Sequence, residues 1–304
     1  NLPRSLARVR ALITAEAPDL LLTYNWGAIE VALANGLIGG CDHIHFESGF
    51  RAEEGNGQLW RRNVFRHFAL SRAKKLVVPS ETLMSIAAKA WRIPADKLQQ
   101  IPNGVDFLRY NGQPGKRENP SLLADIHGAR TAIGTVAPLR PEKNVGRLLR
   151  AFAALPDDQE CVLVVAGDGV EMAPLQRLAA DLGIAARTHF LGHVEDVPAV
   201  LRGMDVFALS SDTEQMPNSL LQAMAAGRPV AAVDVGDVAR IVAPENRTFV
   251  VPRETEGSLT AALASLASDA ERRAELGRLN QERIRAHYSM DGMIAAYAAL
   301  FGPG

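Results

Sequence analysis

The stretch Ser210-Ser-Asp-Thr-Glu-Gln-Met-Pro-Asn-Ser-Leu-Leu-Gln-Ala-Met-Ala-Ala-Gly-Arg-Pro-Val230 decides how this chain is read. Residues 205–209, Asp-Val-Phe-Ala-Leu, form a short apolar run that reads as a buried strand. Pro217-Asn218-Ser219 opens a helix, which runs from Leu220 to Ala226 until Gly227 and Pro229 close it. Asn218 or Ser219 is expected to cap that helix. Its first turn presents backbone N–H groups without intrahelical partners at the positive end of the dipole, a setting that holds phosphate without a charged side chain. Glu214 stands in the loop before the turn and Gln222 follows on the helix, so an acid, a helix start and a second polar group face one ligand.

Working outward, the second half of the chain alternates strand candidates at 132–136, 162–166, 188–191, 206–209, 230–233 and 248–251 with helical stretches. The first third shows the same rhythm, with candidates at 20–23, 43–46, 76–79 and 98–102. Strands alternating with helices imply parallel sheets. A stretch rich in Gly, Asn and Pro, from Asn103 through 111–120, reads as a linker. The expected organisation is a first domain over 1–112, a linker over 113–130, a second domain over 131–288, and a C-terminal helix over 289–304 packing back toward the first domain. Residues 259–276 are expected to form one helix, and in the helix after Lys143 an apolar stripe of Val145, Leu148, Leu149, Phe152 and Ala153 faces a core.

The 304 residues exceed one typical domain, and 47 % hydrophobic with 22 % charged residues is ordinary for a globular protein. Cys41 and Cys161 lack metal-ligand spacing and favour a reduced, cytoplasmic setting. No apolar run reaches the roughly 18 residues of a membrane span. The chain opens on Asn1 inside a helical pattern, which points to a segment upstream. Formal charge splits into +4 over residues 1–112 and −5 over the remainder, so the first domain is the one suited to an anionic surface. Neither Gly-x-Gly-x-x-Gly after a strand nor His-Glu-x-x-His nor Gly-x-Ser-x-Gly occurs, which removes support for dinucleotide, zinc-protease and hydrolase readings. Nothing points to nucleic acid.

Arg140-Pro-Glu-Lys143-Asn144 joins a strand to a helix at the carboxyl end of the second sheet, where open α/β folds bind ligands, and Arg140 with Lys143 could clamp a diphosphate. Gly167-Asp168-Gly169 follows a strand and allows a tight turn with close approach of a base or ribose to the backbone. In the first domain, His43-Ile-His45-Phe-Glu47-Ser-Gly49 ends a strand, and alternation sends both histidines to one face. No third ligand accompanies them, so a metal is not expected. Between Gly55 and Ser80 stand six basic residues and no acid, interleaved with Trp60, Val64, Phe65 and Phe68 at helical spacing. That helix either packs on its own sheet through these four residues or rests Trp60–Lys75 on an anionic membrane.

The Glu214 segment, in order with Lys143, Gly167–Gly169 and the Ile101-Pro-Asn-Gly-Val-Asp106 and Tyr288-Ser-Met-Asp-Gly-Met293 segments, resembles the family 4 retaining glycosyltransferases over nearly the whole chain. The resemblance implies an α/β, GT-B-like fold: two Rossmann-like parallel-sheet domains facing a cleft, the first incomplete because the family's opening strand and glycine-rich loop have no counterpart here. It implies transfer of a sugar from a nucleotide diphosphate sugar, UDP- or GDP-linked, to a hydroxyl of a glycan or lipid-linked acceptor. The anomeric configuration would be retained and no metal or other cofactor required, in an enzyme that is cytoplasmic or peripheral at the inner membrane face. Glu214 and His45 would orient the sugar across the cleft. Arg140, Lys143 and the N–H groups of Ser219, Leu220 and Leu221 beside Asn218 would take the diphosphate, with Gly167, Asp168, Gly169, His193 and Gln222 on the nucleoside. Closure about 103–130 would exclude water.

Two positions depart from the family: Gln222 replaces a second glutamate, and Pro138 stands where the family has an arginine, a charge that Arg140 would supply from a shifted place. These departures and the short first domain motivate two rival readings, a nucleotide-sugar-binding protein with little transferase activity and a GT-B-like epimerase.

Overall fold

Parallel strands buried on both faces read as continuous apolar runs, and β6 (Cys161–Ala166) is the clearest case, with all six residues buried. It lies in a six-stranded parallel sheet of order β10-β9-β8-β5-β6-β7, with β5 Thr131–Val136, β7 Thr188–Gly192, β8 Val206–Leu209, β9 Val230–Val233 and β10 Val250–Val251. The pleat sends Val164 and Ala166 into one core, with Phe207, Leu220 and Met224, and Leu163 and Val165 into the other, with Leu148, Phe152 and Leu263. The computed structural model describes residues 2–49, 59–112, 130–156, 159–253 and 256–302. Its contacts divide the chain into two compact units, Asn1–Pro102 and Asn103–Gly304.

The first unit has a parallel sheet of order β1-β2-β3-β4, formed by Leu20–Tyr24, Asp42–Phe46, Lys75–Val78 and Leu98–Gln100. Helices Leu2–Glu16, Ile29–Ile38, Trp60–Leu70 and Glu81–Lys89 connect or precede the strands. Ser80 starts the last of these by accepting the Leu83 N–H at 3.1 Å, as an N-cap does. Its core joins Ile29, Ala32, Leu70, Leu76, Leu83 and Trp91. Of the four apolar residues expected to pack the Trp60–Leu70 helix on its sheet, only Phe65 turns toward that core; Trp60, Val64 and Phe68 are exposed.

Two boundaries differ from the sequence expectation. Residues 103–112 belong to the second unit: Val105 bridges to Ser289, Tyr110 joins its core, and the Gln281 side chain donates to the Gly112 carbonyl at 2.7 Å. The expected linker, 113–130, lies outside the described residues except for its last position. The helix expected over 259–276 is two, Glu256–Ser268 and Ala270–His287, because the Asp269 carboxylate accepts the Arg272 N–H at 2.8 Å and starts a new helix. The C-terminal helix, Met290–Phe301, begins where the Met290 N–H donates to the Val105 carbonyl.

One buried side chain substitutes for a strand neighbour. Asn246 accepts the Val230 N–H at 3.0 Å and donates to the Val230 carbonyl at 2.7 Å, and Asn280 donates to it at 2.9 Å. Both asparagines are fully buried. Leaving these backbone groups unpaired costs their desolvation. Asn246→Ala should therefore lower unfolding free energy by about 2–4 kcal/mol, measured by chemical denaturation, with an unchanged midpoint counting against the assignment.

Candidate functional site

In the second sheet β5 lies beside β8 on one side and β6 on the other, so the chain reverses direction of travel across the sheet at the β5–β8 pair. Loops that leave the carboxyl ends of two such strands part to either side and frame a crevice. Here side chains lace the two loops together. The buried Arg147 guanidinium donates to the Ser210 carbonyl at 2.7 Å and to Asp212 Oδ1 at 2.8 Å. Asn144, at φ 41°, caps the Val145–Ala153 helix through Oδ1 and donates its amide to both Asp212 oxygens at 3.2 and 3.1 Å. The Asp212 N–H donates to the Glu142 carbonyl, and Ser210 Oγ to that of Lys143.

This lacing brings Lys143 Nζ to 2.5 Å from Glu214 Oε1, an oxygen that also accepts from Ser211 Oγ at 2.8 Å. Both side chains are four-fifths or more buried, at 20 and 11 % exposure, so the pair is held in a setting where electrostatics are stronger than in water. Arg140, at the start of the Pro141–Lys143 turn, is exposed and has no side-chain partner among the described residues.

The glycine turn completes the same rim. Leu139 N–H donates to the Asp168 carbonyl at 2.8 Å, Ala137 N–H to Ala166, and Gly167 N–H to Gly192. Gly167 has φ 141°, and a Cβ there would lie 1.8 Å from the Ala137 carbonyl oxygen; only glycine allows this approach. Asp168 is exposed, and His193, next after β7, is exposed as well. Arg140, Lys143, Gly167, Asp168, Gly169, His193 and Glu214 are thus carried on adjoining loops at one edge of one sheet.

The helix after Glu214 is Asn218–Ala225, and neither Asn218 nor Ser219 caps it. Pro217 holds the cap position in extended conformation, and Asn218 Oδ1 instead accepts from Asn103 Nδ2 at 2.9 Å. The N–H groups of Leu220 and Leu221 already reach the Pro217 carbonyl, at 3.2 and 3.4 Å, and both side chains are in the core. The N–H groups open to a ligand are therefore those of Asn218 and Ser219. Gln222 is half-buried and makes no side-chain hydrogen bond among the described residues.

In the first unit, Thr23 Oγ1 lies 2.7 Å from His43 Nε2 and 2.6 Å from His45 Nδ1. Both histidines do share a face, and burial with the neighbouring His45 lowers the His43 pKa to about 4. His45 Nε2 is 3.9 Å from Glu47, whose carboxylate is 3.6 Å from Arg66 Nε, all three fully buried. The Arg66 guanidinium lies over the rings of Trp26 and Trp91, at 4.8 and 4.9 Å, a cation–π setting. A hydroxyl has one proton, so Thr23 donates to one imidazole and accepts from the other. With Glu47 beside His45 Nε2, the consistent arrangement protonates that nitrogen, lets Nδ1 accept from Thr23, and has His43 donate Nε2–H. His45 has no exposed surface; the exposed group at this strand end is Ser48, whose N–H donates to Asn25 Oδ1 at 2.7 Å.

Asp212, Arg147 and Ser211 were not singled out from the sequence. The available signal was a charged residue beside the apolar stripe of one helix and a second acid two positions before Glu214.

The sequence profile of the glycosyl transferases group 1 matches residues 125–283, and that of the glycosyl transferase 4-like domain matches residues 1–104. The chain belongs to this glycosyltransferase family. Among its relatives is a GDP-mannose-dependent alpha-(1-6)-phosphatidylinositol monomannoside mannosyltransferase of Mycobacterium tuberculosis, 28 % identical over 67 % of this chain and 56 % of the relative. Another is a D-inositol 3-phosphate glycosyltransferase of Salinispora tropica, 29 % identical over 77 % of this chain and 52 % of the relative. The chain spans about half the length of these curated relatives. The crystal structure of Anabaena Alr3699/HepE in complex with UDP superposes with a TM-score of 0.82 at 19 % identity, covering 97 % of this chain and 81 % of that one. The fold is that of the GT-B glycosyltransferases, with two parallel-sheet α/β units of four and six strands.

The His43 environment generates a pH prediction. Its folded pKa, about 4, lies below the unfolded value near 6.5, so the unfolded chain binds the extra proton between these values. Stability is full above about pH 6.5 and is lost as pH falls toward 4, by up to about 3 kcal/mol. His43→Gln should flatten this part of the stability profile in thermal melts across pH; an unaltered slope would assign the loss to other groups.

Proposed function

We propose that this protein is a retaining glycosyltransferase that moves a sugar from a UDP- or GDP-sugar to a hydroxyl of a glycan or lipid-linked acceptor, in glycan or glycolipid synthesis. The observation that carries the reading is the meeting of Lys143 and Glu214 across β5 and β8, beside the Gly167–Gly169 turn. As the bond from the anomeric carbon to the diphosphate breaks, negative charge grows on the leaving oxygens. Arg140, Lys143 and the N–H groups of Asn218 and Ser219 stabilise it, which makes the transfer metal-independent. Glu214, with one oxygen held by Ser211 and the other without a hydrogen bond among the described residues, accepts hydrogen bonds from sugar hydroxyls. The Gly167–Gly169 turn and His193 take the ribose and base. His45, buried behind the end of β2, acts as a positioning residue that ties Thr23 and Glu47 beneath the exposed Ser48.

The activities of the relatives, on GDP-mannose with phosphatidylinositol monomannoside and on inositol 3-phosphate, support a nucleotide-sugar donor and a polyol-type acceptor. The likeness to a UDP-bound structure supports the fold of the donor side. Acceptors with lipid tails would bring the protein to a bilayer.

Incubation with UDP- and GDP-sugars tests the reading through thermal shift for binding and nucleoside diphosphate release for turnover. Release that rises with an added acceptor is expected. Binding without release would leave a nucleotide-sugar-binding protein, and epimerised donor recovered without acceptor would make it an epimerase. Lys143→Met should lower turnover about 100-fold or more while donor still binds; undiminished turnover would remove Lys143 from the diphosphate. Gln222 offers neutral hydrogen bonds where a carboxylate would give stronger ones, a difference of about 1–1.5 kcal/mol. Gln222→Glu should therefore tighten donor binding about tenfold, read by calorimetry, and unchanged affinity would place Gln222 away from the ribose.

A further inference from the structure

The Trp60–Leu70 helix has two apolar faces. One, through Phe65, Ala69 and Leu70, packs on the core of the first unit. The other is a stripe at i, i+4 and i+8, in which Trp60, Val64 and Phe68 are 68, 47 and 65 % exposed, extended by Leu59 at 46 %. With Asn63, His67, Ala90 and Arg92 these three line an open cavity of about 560 Å³. Isolated exposed apolar residues are commonplace, whereas a contiguous row of two aromatic and two aliphatic side chains around a groove marks an interaction surface.

The charges around this surface choose its partner. Arg61 is exposed, with its guanidinium 5.5 Å from the Trp60 ring. Arg92 lines the groove, and Lys89 is exposed one turn before it, at the end of the Glu81–Lys89 helix. Among the described residues no acidic side chain lines the cavity, and residues 1–102 carry a net charge of +4. No described helix is long and apolar enough to cross a membrane. Aromatic side chains that project from a basic rim fit the boundary between phosphate headgroups and acyl chains, with Trp at headgroup depth and cations on lipid phosphates.

We propose that Trp60, Val64 and Phe68, flanked by Arg61, Lys89 and Arg92, form a docking surface for an anionic lipid bilayer. The helix lies in the plane of the interface and sinks its outer stripe into the acyl boundary, and the cavity beside it accepts lipid chain. Binding is reversible, because one short stripe and a few cations anchor far less firmly than a spanning helix. This surface is built from residues of the first unit alone and goes beyond glycosyl transfer, so it stands or falls by itself.

Flotation with vesicles tests it, using phosphatidylcholine alone and phosphatidylcholine with about one third phosphatidylglycerol. The protein should float with the anionic vesicles, and high salt should weaken the association. Trp60→Ser with Phe68→Ser should reduce partition about tenfold or more, and Arg61→Gln with Arg92→Gln should remove the preference for phosphatidylglycerol. Both pairs are exposed, so an unchanged melting temperature and unchanged UDP- or GDP-sugar binding serve as controls. Equal flotation with neutral and anionic vesicles, or undiminished flotation of the serine variant, would overturn the proposal. A concentration-dependent dimer in sedimentation, abolished by the serine pair and accompanied by no flotation, would assign the surface to a second copy of this chain.

Discussion

The carboxyl-end edge of the second sheet depends on Asp212 and the cation it holds. β5 and β8 are neighbours, but their loops lead into helices that depart in different directions, and nothing in sheet geometry alone keeps those loops together. Arg147 joins them, donating to the Ser210 carbonyl and to Asp212 from a site only 9 % exposed. A charge so placed requires its partner, because removing one member of a buried pair leaves the other uncompensated. The Asn144 amide and the Glu142 carbonyl fill further positions around Asp212, and Arg253 approaches it at 3.5 Å. The position of Lys143 opposite Glu214 follows from this fastening.

Glycine contacts extend the fastening along the sheet. The turn at Gly167–Gly169 presses backbone against backbone: a Cβ on Gly167 or Gly169 would lie 1.8 or 2.3 Å from the carbonyl oxygens of Ala137 or Leu139. The loops after β5, β6 and β7 therefore share hydrogen bonds rather than side-chain contacts. On the other side, Gly236 approaches the Glu214 carbonyl just as closely. Functional side chains that stand on such a rim gain definition from rigid backbone while remaining free at their tips. The first unit uses a different device, a buried polar chain from His43 through Thr23 and His45 to Glu47, closed by Arg66 between two indole rings.

The strands were legible because parallel sheets covered by helices demand apolar runs, and these stand out between helical stretches, as Cys161–Ala166 does. The order Lys143, Gly167, Glu214 was legible because all three stand in loops that follow strands. Periodicity could not show which side of the Trp60–Leu70 helix turns inward, since both sides carry apolar residues. Arg66 decides it, and its burial depends on Trp26 and Trp91, which are distant in sequence. The boundary at Pro102 was hidden for a related reason: residues 103–112 have loop composition, yet Val105 and Tyr110 are held by the end of the chain and by the second core. At Asp269 the local signal for a new helix was present, but the apolar pattern on both sides masked it.

The Lys143–Glu214 contact constrains how an anion could enter. Lys143 is paired with Glu214. In the proposed reaction a diphosphate arriving at the rim would therefore meet the exposed Arg140, which has no side-chain partner among the described residues, together with the N–H groups of Asn218 and Ser219. Lys143 contributes only when its ammonium, which has three donors, is shared with the newcomer or moves from Glu214 to it. Movement would release the Glu214 oxygen while Ser211 still holds the carboxylate in place. Under that reading, charge neutralisation of the phosphate and exposure of the carboxylate would be coupled through one short contact. In the proposed reaction, a donor lacking the diphosphate would leave that contact intact and find only the second Glu214 oxygen open, so the full carboxylate would become available only to a sugar that arrives with the group to be expelled.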